Sequence, residues 1–440
     1  MDASSHFRGK KVTLMGLGLL GRGVGDAKYL AECGAELIVT DLKTKEQLAE
    51  SVDALSSFSN ITFILGEHRL EDFRARDMVL KAAGVPFDSI YIEEARKNNI
   101  PVRMSADLFM ELSGVTTVGI TGTRGKSTTT HMIAAILKEA GKKVLLGGNV
   151  RGVSTLALLP QITGSEVAVL ELDSWQCQGL GDATISPSVA VFTTLYEDHL
   201  NYYKNDMRAY LADKANIFLN QKPEDTLVLG SQCAELIQES YGGDIRSHVT
   251  VVGDHDLRAD WKLAIPGEHN RYDAALAVEA ARALGIPDES IEKALATFPG
   301  VPGRLEFIRE VNGVRVYNDT TATTPEATVV ALRALAGEKP NIILIMGGAD
   351  KGLVMNALFD ELPNVVKHVV LLAGTGTDRI RSKLPAATIY ATLDKAVDAA
   401  FREAEAGDTI LMSPAFASFG MFKNEYDRGD QFNALVKNHA

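Results

Sequence analysis

Six consecutive residues, Gly122-Thr123-Arg124-Gly125-Lys126-Ser127, stand where an apolar run ends and a helical pattern begins. A phosphate group needs many donors at close range. Glycines let backbone N–H groups approach it, and a helix N-terminus adds favourable potential. A lysine supplies charge, and a serine hydroxyl can ligate Mg²⁺. The common phosphate loop has four residues between its first glycine and its Gly-Lys pair. Here Thr123 and Arg124 are the only two after Gly122. A tight strand-to-helix turn with an incidental lysine is the plainer alternative, and the strand–loop–helix context favours phosphate binding over it.

A second glycine loop, Gly16-Leu17-Gly18-Leu19-Leu20-Gly21, completes a GxGxxG pattern, with Asp41 placed 20 residues beyond Gly21. Alone it reads as a dinucleotide fingerprint with Asp41 on a ribose hydroxyl. The same loop serves any nucleotide diphosphate. An NAD-dependent oxidoreductase and a simple glycine turn packing helix on strand therefore both stay open. Residues 168–173 form an apolar run ending in acids, and strand alternation puts Glu171 and Asp173 on one side. A carboxylate at the carboxyl end of a parallel strand, beside a phosphate loop, is where a Mg²⁺ ligand belongs. Glu197, Asp198 and His199 follow another apolar run; taken singly they read as structural, since a lone histidine is more often so. Lys214 sits in a helical pattern and reads, by itself, as a solvated lysine.

The elements that must hold these residues recur in a rhythm of short β-branched run, glycine or polar turn, and helical segment. That rhythm predicts βαβ units and largely parallel sheets. Strands are expected over Lys11–Met15, 37–40, 115–120, 166–172 and Val189–Phe192, and over the runs at 341–348, 368–376 and 408–414. Helices are expected over 21–33, after Ser127 up to Gly141, and from Pro325, where Thr324 and Pro325 make an N-cap and N1 pair. A linker is expected around 106–114. At 440 residues, the length suits about three domains. The fold class expected is α/β with three domains, over 1–110, 111–302 and 303–440: two Rossmann-like domains flanking a central phosphate-loop domain with a parallel sheet.

Composition narrows the function. The chain carries 45 Lys+Arg against 57 Asp+Glu, a net charge of −12, which argues against coating nucleic acid or anionic membrane while leaving room for local anion pockets. Cys33, Cys177 and Cys233 are the three cysteines, with no CxxC, so neither a disulfide framework nor a structural zinc is expected and a reducing cytoplasm suits the pattern. No apolar run reaches the roughly 18–20 residues of a membrane span. The glycine-studded start reads as a strand entering a loop and not as a leader.

Taken together, the motifs TGTRGKSTTT, ELDSWQ, TTLYEDHLNYY, Lys214, GEHNRYDAALA, PGRLE, NDTTATTPEAT, GGADKG and SPAFASFGMFKN stand in the order and spacing of the Mur ligases. The chain resembles that family over essentially its full length. The resemblance implies a cytoplasmic ATP-dependent carboxylate–amine ligase in peptidoglycan precursor synthesis. It would work through an acyl phosphate, with UDP-N-acetylmuramoyl-L-alanine and an acidic amino acid, D-glutamate, as substrates. It implies a UDP-binding first domain, contacting the substrate through Leu17, Gly18, Leu19, Leu20, Asp41 and Leu42, with Asn149, Gln176 and His199 also facing it. Gly122, Thr123, Arg124, Gly125, Lys126, Ser127, Thr128, Asn270, Arg304 and Asp319 would hold ATP. Ser127, Glu171 and His199 would anchor Mg²⁺, together with Lys214 carbamylated by CO₂; Lys126, Glu171, His199 and Lys214 would be catalytic. Thr323, Lys351, Ser418 and Phe419 would line the amino-acid site. A monomer is expected, without nucleic-acid or membrane partners. Several positions depart from the family pattern: Asp173 for serine, Gly303 for histidine, Asp273 for asparagine, Phe416 for cysteine, Gly420 for aspartate, and a reversed acid–aromatic pair at Glu425-Tyr426. A non-catalytic nucleotide-binding paralogue is the reading those departures would support. For Glu425, a side chain turned away from the amino-acid site is expected.

Overall fold

The computed structural model describes residues 3–19, 21–86, 88–199 and 202–439; of the expected site residues, Leu20 lies outside them. The fold is α/β, built on three sheets. In the first, strands Ile61–Leu65, Glu36–Asp41, Lys11–Met15, Met78–Lys81 and Val102–Arg103 lie side by side, all parallel. Strand periodicity sorts its side chains onto two faces. Val12 and Leu14 pack with Leu30, Leu37 and Val39, while Met15, Val79 and Val102 pack with Phe73 and Ile92. The strand order turns at Lys11–Met15, and the glycine loop leaves from that strand's carboxyl end, where open α/β sheets bind ligands.

The second sheet runs His248–Val252, Thr226–Gly230, Val189–Phe192, Thr116–Thr121, Glu166–Glu171, Lys143–Gly148, again all parallel. Its register pairs Ile120 with Glu171 and Thr121 with Phe192. Glu171 and the Thr193–Thr194 pair are thereby set on either side of Gly122. The third sheet runs Glu306–Val311, Val314–Asn318, Thr409–Met412, Ile342–Gly347, Val366–Leu372, Thr388–Tyr390. Only its first strand is antiparallel to its neighbour. Ile342, Leu344 and Leu411 face one cluster and Ile343, Ile345 and Ile410 the other. These uninterrupted apolar runs are what a sheet covered on both faces requires.

The chain divides into two compact units. One comprises Met1–Trp261 with Arg271–Leu295 and carries the first two sheets; the other comprises Lys262–Asn270 with Ala296–Ala440 and carries the third. Among the described residues, no helix is long and apolar enough to cross a membrane.

Two local expectations need correction. The segment expected as a linker around 106–114 is a helix, Ser105–Ser113, closed by Gly114 in the left-handed conformation. Ala106, Leu108 and Phe109 are buried on it, and the Asp107 carboxylate accepts from the Met104 N–H at 2.9 Å. This apolar face makes it an element, and it lacks the Gly/Pro content of a linker. The strand expected to run to 172 stops at Glu171, and Asp173 is instead the N-cap of helix Ser174–Ala183. Its carboxylate accepts from the Gln176 N–H (2.8 Å) while the Gln176 Oε1 accepts from the Asp173 N–H (3.1 Å). Aspartate caps as well as serine does, so this departure from the family pattern keeps the local fold. The N-cap and N1 pair at Thr324-Pro325 is as expected, the Thr324 hydroxyl accepting from Ala327 N–H.

Candidate active site

The loop between strand Thr116–Thr121 and helix Lys126–Glu139 is laced to the end of strand Val189–Phe192. Thr123 N–H donates to Thr194 O (2.7 Å), Arg124 N–H donates to Thr194 Oγ1 (3.0 Å), and Thr193 Oγ1 donates to Arg124 O. Two glycines make this closeness possible. A Cβ on Gly122 (φ +139°) would fall 2.0 Å from Thr193 Oγ1, and one on Gly125 (φ +86°) 2.3 Å from Asp273 Oδ1. Asp273, where the family pattern has asparagine, therefore lies directly on the loop. The Lys126 ammonium folds back over the loop, donating to Gly122 O (2.9 Å) and Thr123 O (3.0 Å). Ser127 and Thr128 occupy the first turn of the helix, partly exposed, and Arg124 is exposed.

Lys214 is the largest surprise against its local reading. It is 1% exposed, on helix Met207–Leu219, whose N-cap Asp206 accepts from Arg208 and Ala209 N–H. Its ammonium donates to Gly122 O (2.9 Å) and Thr121 Oγ1 (3.3 Å) and lies 4.9 Å from the centre of the Tyr210 ring. Burial first, and the Lys126 charge second, bring its pKa down to about 7. Beneath the same strand end, Cys177 Sγ donates to Thr121 Oγ1 at 3.6 Å, and burial pushes its thiol up to about 12.

Glu171 is buried at its strand end. Its backbone oxygen accepts from Asn149 N–H (2.6 Å) and its Oε1 from Asn149 Nδ2 (3.5 Å). Gly148 (φ +81°) allows this approach, since a Cβ there would sit 2.0 Å from Glu171 O. His199, in the left-handed conformation at φ +52°, packs its ring 4.8 Å from Trp175 and places Nε2 3.6 Å from Asp198 Oδ2. Among the described residues no hydrogen bond joins His199 to Glu171, and no group of three or more His, Cys, Asp and Glu side chains gathers as a metal cluster.

At the first sheet, Asp41 is buried and braces the glycine loop: its Oδ2 accepts from Gly18 N–H (3.0 Å) and its Oδ1 from Lys43 N–H (2.9 Å). Leu17 is buried, whereas Leu19 (58%) and Leu42 (66%) stand out into solvent. Gln176 is buried, with its Oε1 committed to the helix cap. Arg22, which the motif reading passed over, donates from Nη1 to Asn149 Oδ1 at 2.5 Å.

In the other unit, Asn270 Nδ2 donates to Pro266 O, and Asp319 is buried, its Oδ2 accepting from Ser413 Oγ (2.7 Å) and its Oδ1 from Leu305 N–H (3.1 Å). Burial raises Asp319 to about 7, opposed by those bonds and by the charge of the exposed Arg304. Lys351 donates to Thr323 Oγ1 at 3.0 Å. Ser418 is buried, and Phe419 is exposed. Gly348 (φ +141°) lets the 347–349 loop meet this segment, where Ala349 and Ala417 bond reciprocally at 2.9 and 3.2 Å. Phe416 fits because Gly376 leaves it room: a Cβ there would lie 2.3 Å from its ring. Burial lowers the pKa of Lys351 and brings that of Arg428 down to about 10, each opposed by the charge of Glu425. Arg428, also unremarked in the motifs, is fully buried and donates to Thr320 Oγ1 (3.0 Å), Thr320 O (2.8 Å) and Phe416 O (3.3 Å). Neither arginine belongs to a recognisable motif. The one signal was the placement of Arg22 directly after a glycine loop.

Parallel α/β sheets whose strand ends carry a phosphate loop and a second glycine loop define a nucleotide-dependent enzyme. Family models described as Mur ligase middle domain and as Mur ligase, glutamate ligase domain match residues 120–256 and 303–416. The chain belongs to the Mur ligase family and is a ligase. It is 38% identical to a UDP-N-acetylmuramoylalanine–D-glutamate ligase of Roseiflexus sp. (strain RS-1), covering 98% of each chain. It is 35% identical to the protein so named in Geobacillus kaustophilus, covering 99% of this chain and 100% of that one. In fold it matches the solved UDP-N-acetylmuramate–alanine ligase of Thermotoga maritima, with a TM-score of 0.63 at 19% identity over 97% of this chain and 99% of that one.

Proposed function

We propose that the chain joins the amine of D-glutamate to the carboxylate of UDP-N-acetylmuramoyl-L-alanine at the expense of ATP, in the cytoplasm and as a monomer. We assign UDP-substrate binding to residues 1–110, ATP binding to 111–302 and amino-acid binding to 303–440. The observation that carries this reading is the phosphate loop with Lys126 and the buried Lys214 gathered on one carbonyl. Its setting is a chain akin over nearly its whole length to ligases of that name. Neither a nicotinamide-dependent oxidoreductase nor a non-catalytic paralogue accounts for that gathering.

The chemistry follows from the poor leaving group of a carboxylate. Its oxygen attacks the γ-phosphorus of ATP, the bond to the ADP oxygen breaks, and an acyl phosphate forms. The amine then attacks the acyl carbon, loses a proton, and inorganic phosphate departs. Transfer of this kind is mostly positioning and charge compensation. Lys126 supplies cationic charge, and the N–H groups of the first turn of helix Lys126–Glu139 are the donors left for the phosphates. Glu171, a buried carboxylate paired in the sheet register with Ile120, two residues before Gly122, offers a hard oxygen. Glu171 and the Ser127 hydroxyl are oxygen donors of the kind Mg²⁺ takes beside phosphate, and with His199 they would hold it. When bound, Mg²⁺ supplies Lewis-acid compensation of phosphate charge. Lys214, with an amine that burial drives toward neutrality, fits carbamylation by CO₂. Leu19, Asp41 and Leu42 frame the uracil end, Asn149, Gln176 and His199 face the sugar-linked substrate, and Thr323, Lys351, Ser418 and Phe419 receive the amino acid. Cys33, Cys177 and Cys233 are all free thiols, which suits a reducing compartment.

The test is phosphate release from ATP by the purified protein. It should require both UDP-N-acetylmuramoyl-L-alanine and D-glutamate. Phosphate release that is indifferent to either one would refute the assignment.

A further inference from the structure

Arg22 opens helix Arg22–Glu32 directly behind Gly21, the last glycine of the first loop, which holds φ at +80°. Its guanidinium reaches across 127 residues of sequence to the side chain of Asn149. A guanidinium donates and never accepts, whereas a carboxamide has one accepting and one donating edge. Arg22 can therefore bond only the Oδ1 edge, which leaves Nδ2 turned the other way. That edge meets Glu171 Oε1 at 3.5 Å, and an ionised carboxylate only accepts. The main chain closes the arrangement from below, Asn149 N–H donating to Glu171 O at 2.6 Å. Without Arg22 only the long 3.5 Å contact to Glu171 would hold the amide in this orientation.

We propose that Arg22 is a positioning residue for the acceptor substrate: it fixes the Asn149 carboxamide so that its donor edge faces Glu171 and the UDP-linked substrate. This rests on the functional reading above, in which Asn149 faces that substrate. Arg22 belongs to the glycine-loop helix and Asn149 to the loop after strand Lys143–Gly148. The bond thus ties the nucleotide end of the acceptor site to the strand end that carries Glu171. A charge-assisted bond of this sort is worth roughly a 10- to 100-fold change in an equilibrium constant.

The experiment measures binding of UDP-N-acetylmuramoyl-L-alanine by calorimetry without ATP, and steady-state kinetics with all substrates. Wild type is compared with Arg22→Ala, Arg22→Lys, Asn149→Ala and the double variant. Arg22→Ala should weaken acceptor binding and raise its KM about 10-fold, with the KM for ATP within about twofold. Arg22→Lys, which keeps one charged donor, should recover most of the loss. In the Asn149→Ala background, Arg22→Ala should add little, because the two act as one unit. Acceptor binding unchanged in Arg22→Ala, or losses that simply add in the double variant, would overturn the inference while wild-type turnover upheld the functional reading. A wild-type protein that fails to bind the acceptor overturns both.

Discussion

Lys126 and Lys214 donate to the same acceptor, the carbonyl oxygen of Gly122, each at 2.9 Å. Two ammonium groups on one oxygen repel each other, and the more deeply buried one gives up its proton more readily. Lys126 sits partly exposed at the helix start. Lys214 is enclosed beneath the loop and has its pKa brought down to about 7.

Replacing Lys126 by alanine should cost at least about 10²-fold in kcat, the scale of losing one charge-stabilising donor. The fold should persist, since the side chain lies over a loop and leaves no core cavity. Phosphate-release kinetics and a urea titration separate the two effects. Near-normal turnover in this variant would remove the phosphate-loop assignment.

Lys214→Ala should lose most activity, with partial rescue by a short carboxylic acid that stands in for a carbamate. Carbamylation consumes the neutral amine and releases a proton. At fixed CO₂ pressure, wild-type activity should therefore climb as pH rises through about 7. Stability should follow a matching course. Between about 7 and the ordinary lysine value of 10.5 the unfolded chain binds a proton that the folded chain lacks, so stability rises with pH across that window. Urea unfolding at several pH values should show that slope in wild type and a flatter one in Lys214→Met. Full activity of Lys214→Ala without any added acid would mark Lys214 as structural only.

Gly148→Ala and Gly152→Ala make a matched pair. Both glycines hold positive φ, +81° and +70°, but only the first would drive a Cβ to 2.0 Å from Glu171 O, while the second meets nothing within 4 Å. Gly152→Ala should cost about 1 kcal/mol from backbone conformation alone. Gly148→Ala should cost clearly more, and should also raise the Mg²⁺ concentration needed for half-maximal turnover because Glu171 is displaced. Equal urea midpoints for the two would contradict the close approach.

The amino-acid site should prefer an anion. Lys351, seated on Thr323 Oγ1, can pair with a side-chain carboxylate that would be costly to bury alone. Turnover with D-glutamate should exceed that with L-glutamate, D-lysine and L-lysine, and Lys351→Ala should raise the KM for D-glutamate about 10-fold or more. Glu425 already acts electrostatically on Lys351, so Glu425→Gln should alter discrimination between glutamate and lysine. A preference for lysine of either hand would refute this pocket while leaving the ligase assignment in place.

Both glycine loops, the order of the flanking strands' motifs, and the Thr324-Pro325 helix start were legible because each depends on residues adjacent in sequence. What escaped was set by contacts across long stretches of chain. Lys214 looks solvated because its neighbours Asp213 and Asn216 are polar, yet the helix buries it against a loop 92 residues earlier. Asp173 continues the alternation of its strand, but a helix start has first claim on a carboxylate two residues past the strand end. The helix Ser105–Ser113 hides in a stretch without a strong N-cap signal, and its Asp107 is held by Arg103 in an ion pair at 2.9 Å that only the fold reveals.

Cys177 lies under the phosphate loop, bonded through its thiol to Thr121 and buried with it. A thiol held protonated and shut from solvent reacts with alkylating reagents only when its cover opens. Labelling at Cys177, told apart from the equally buried Cys33 and Cys233 by peptide mass, should therefore report how often the strand end at Thr121 opens.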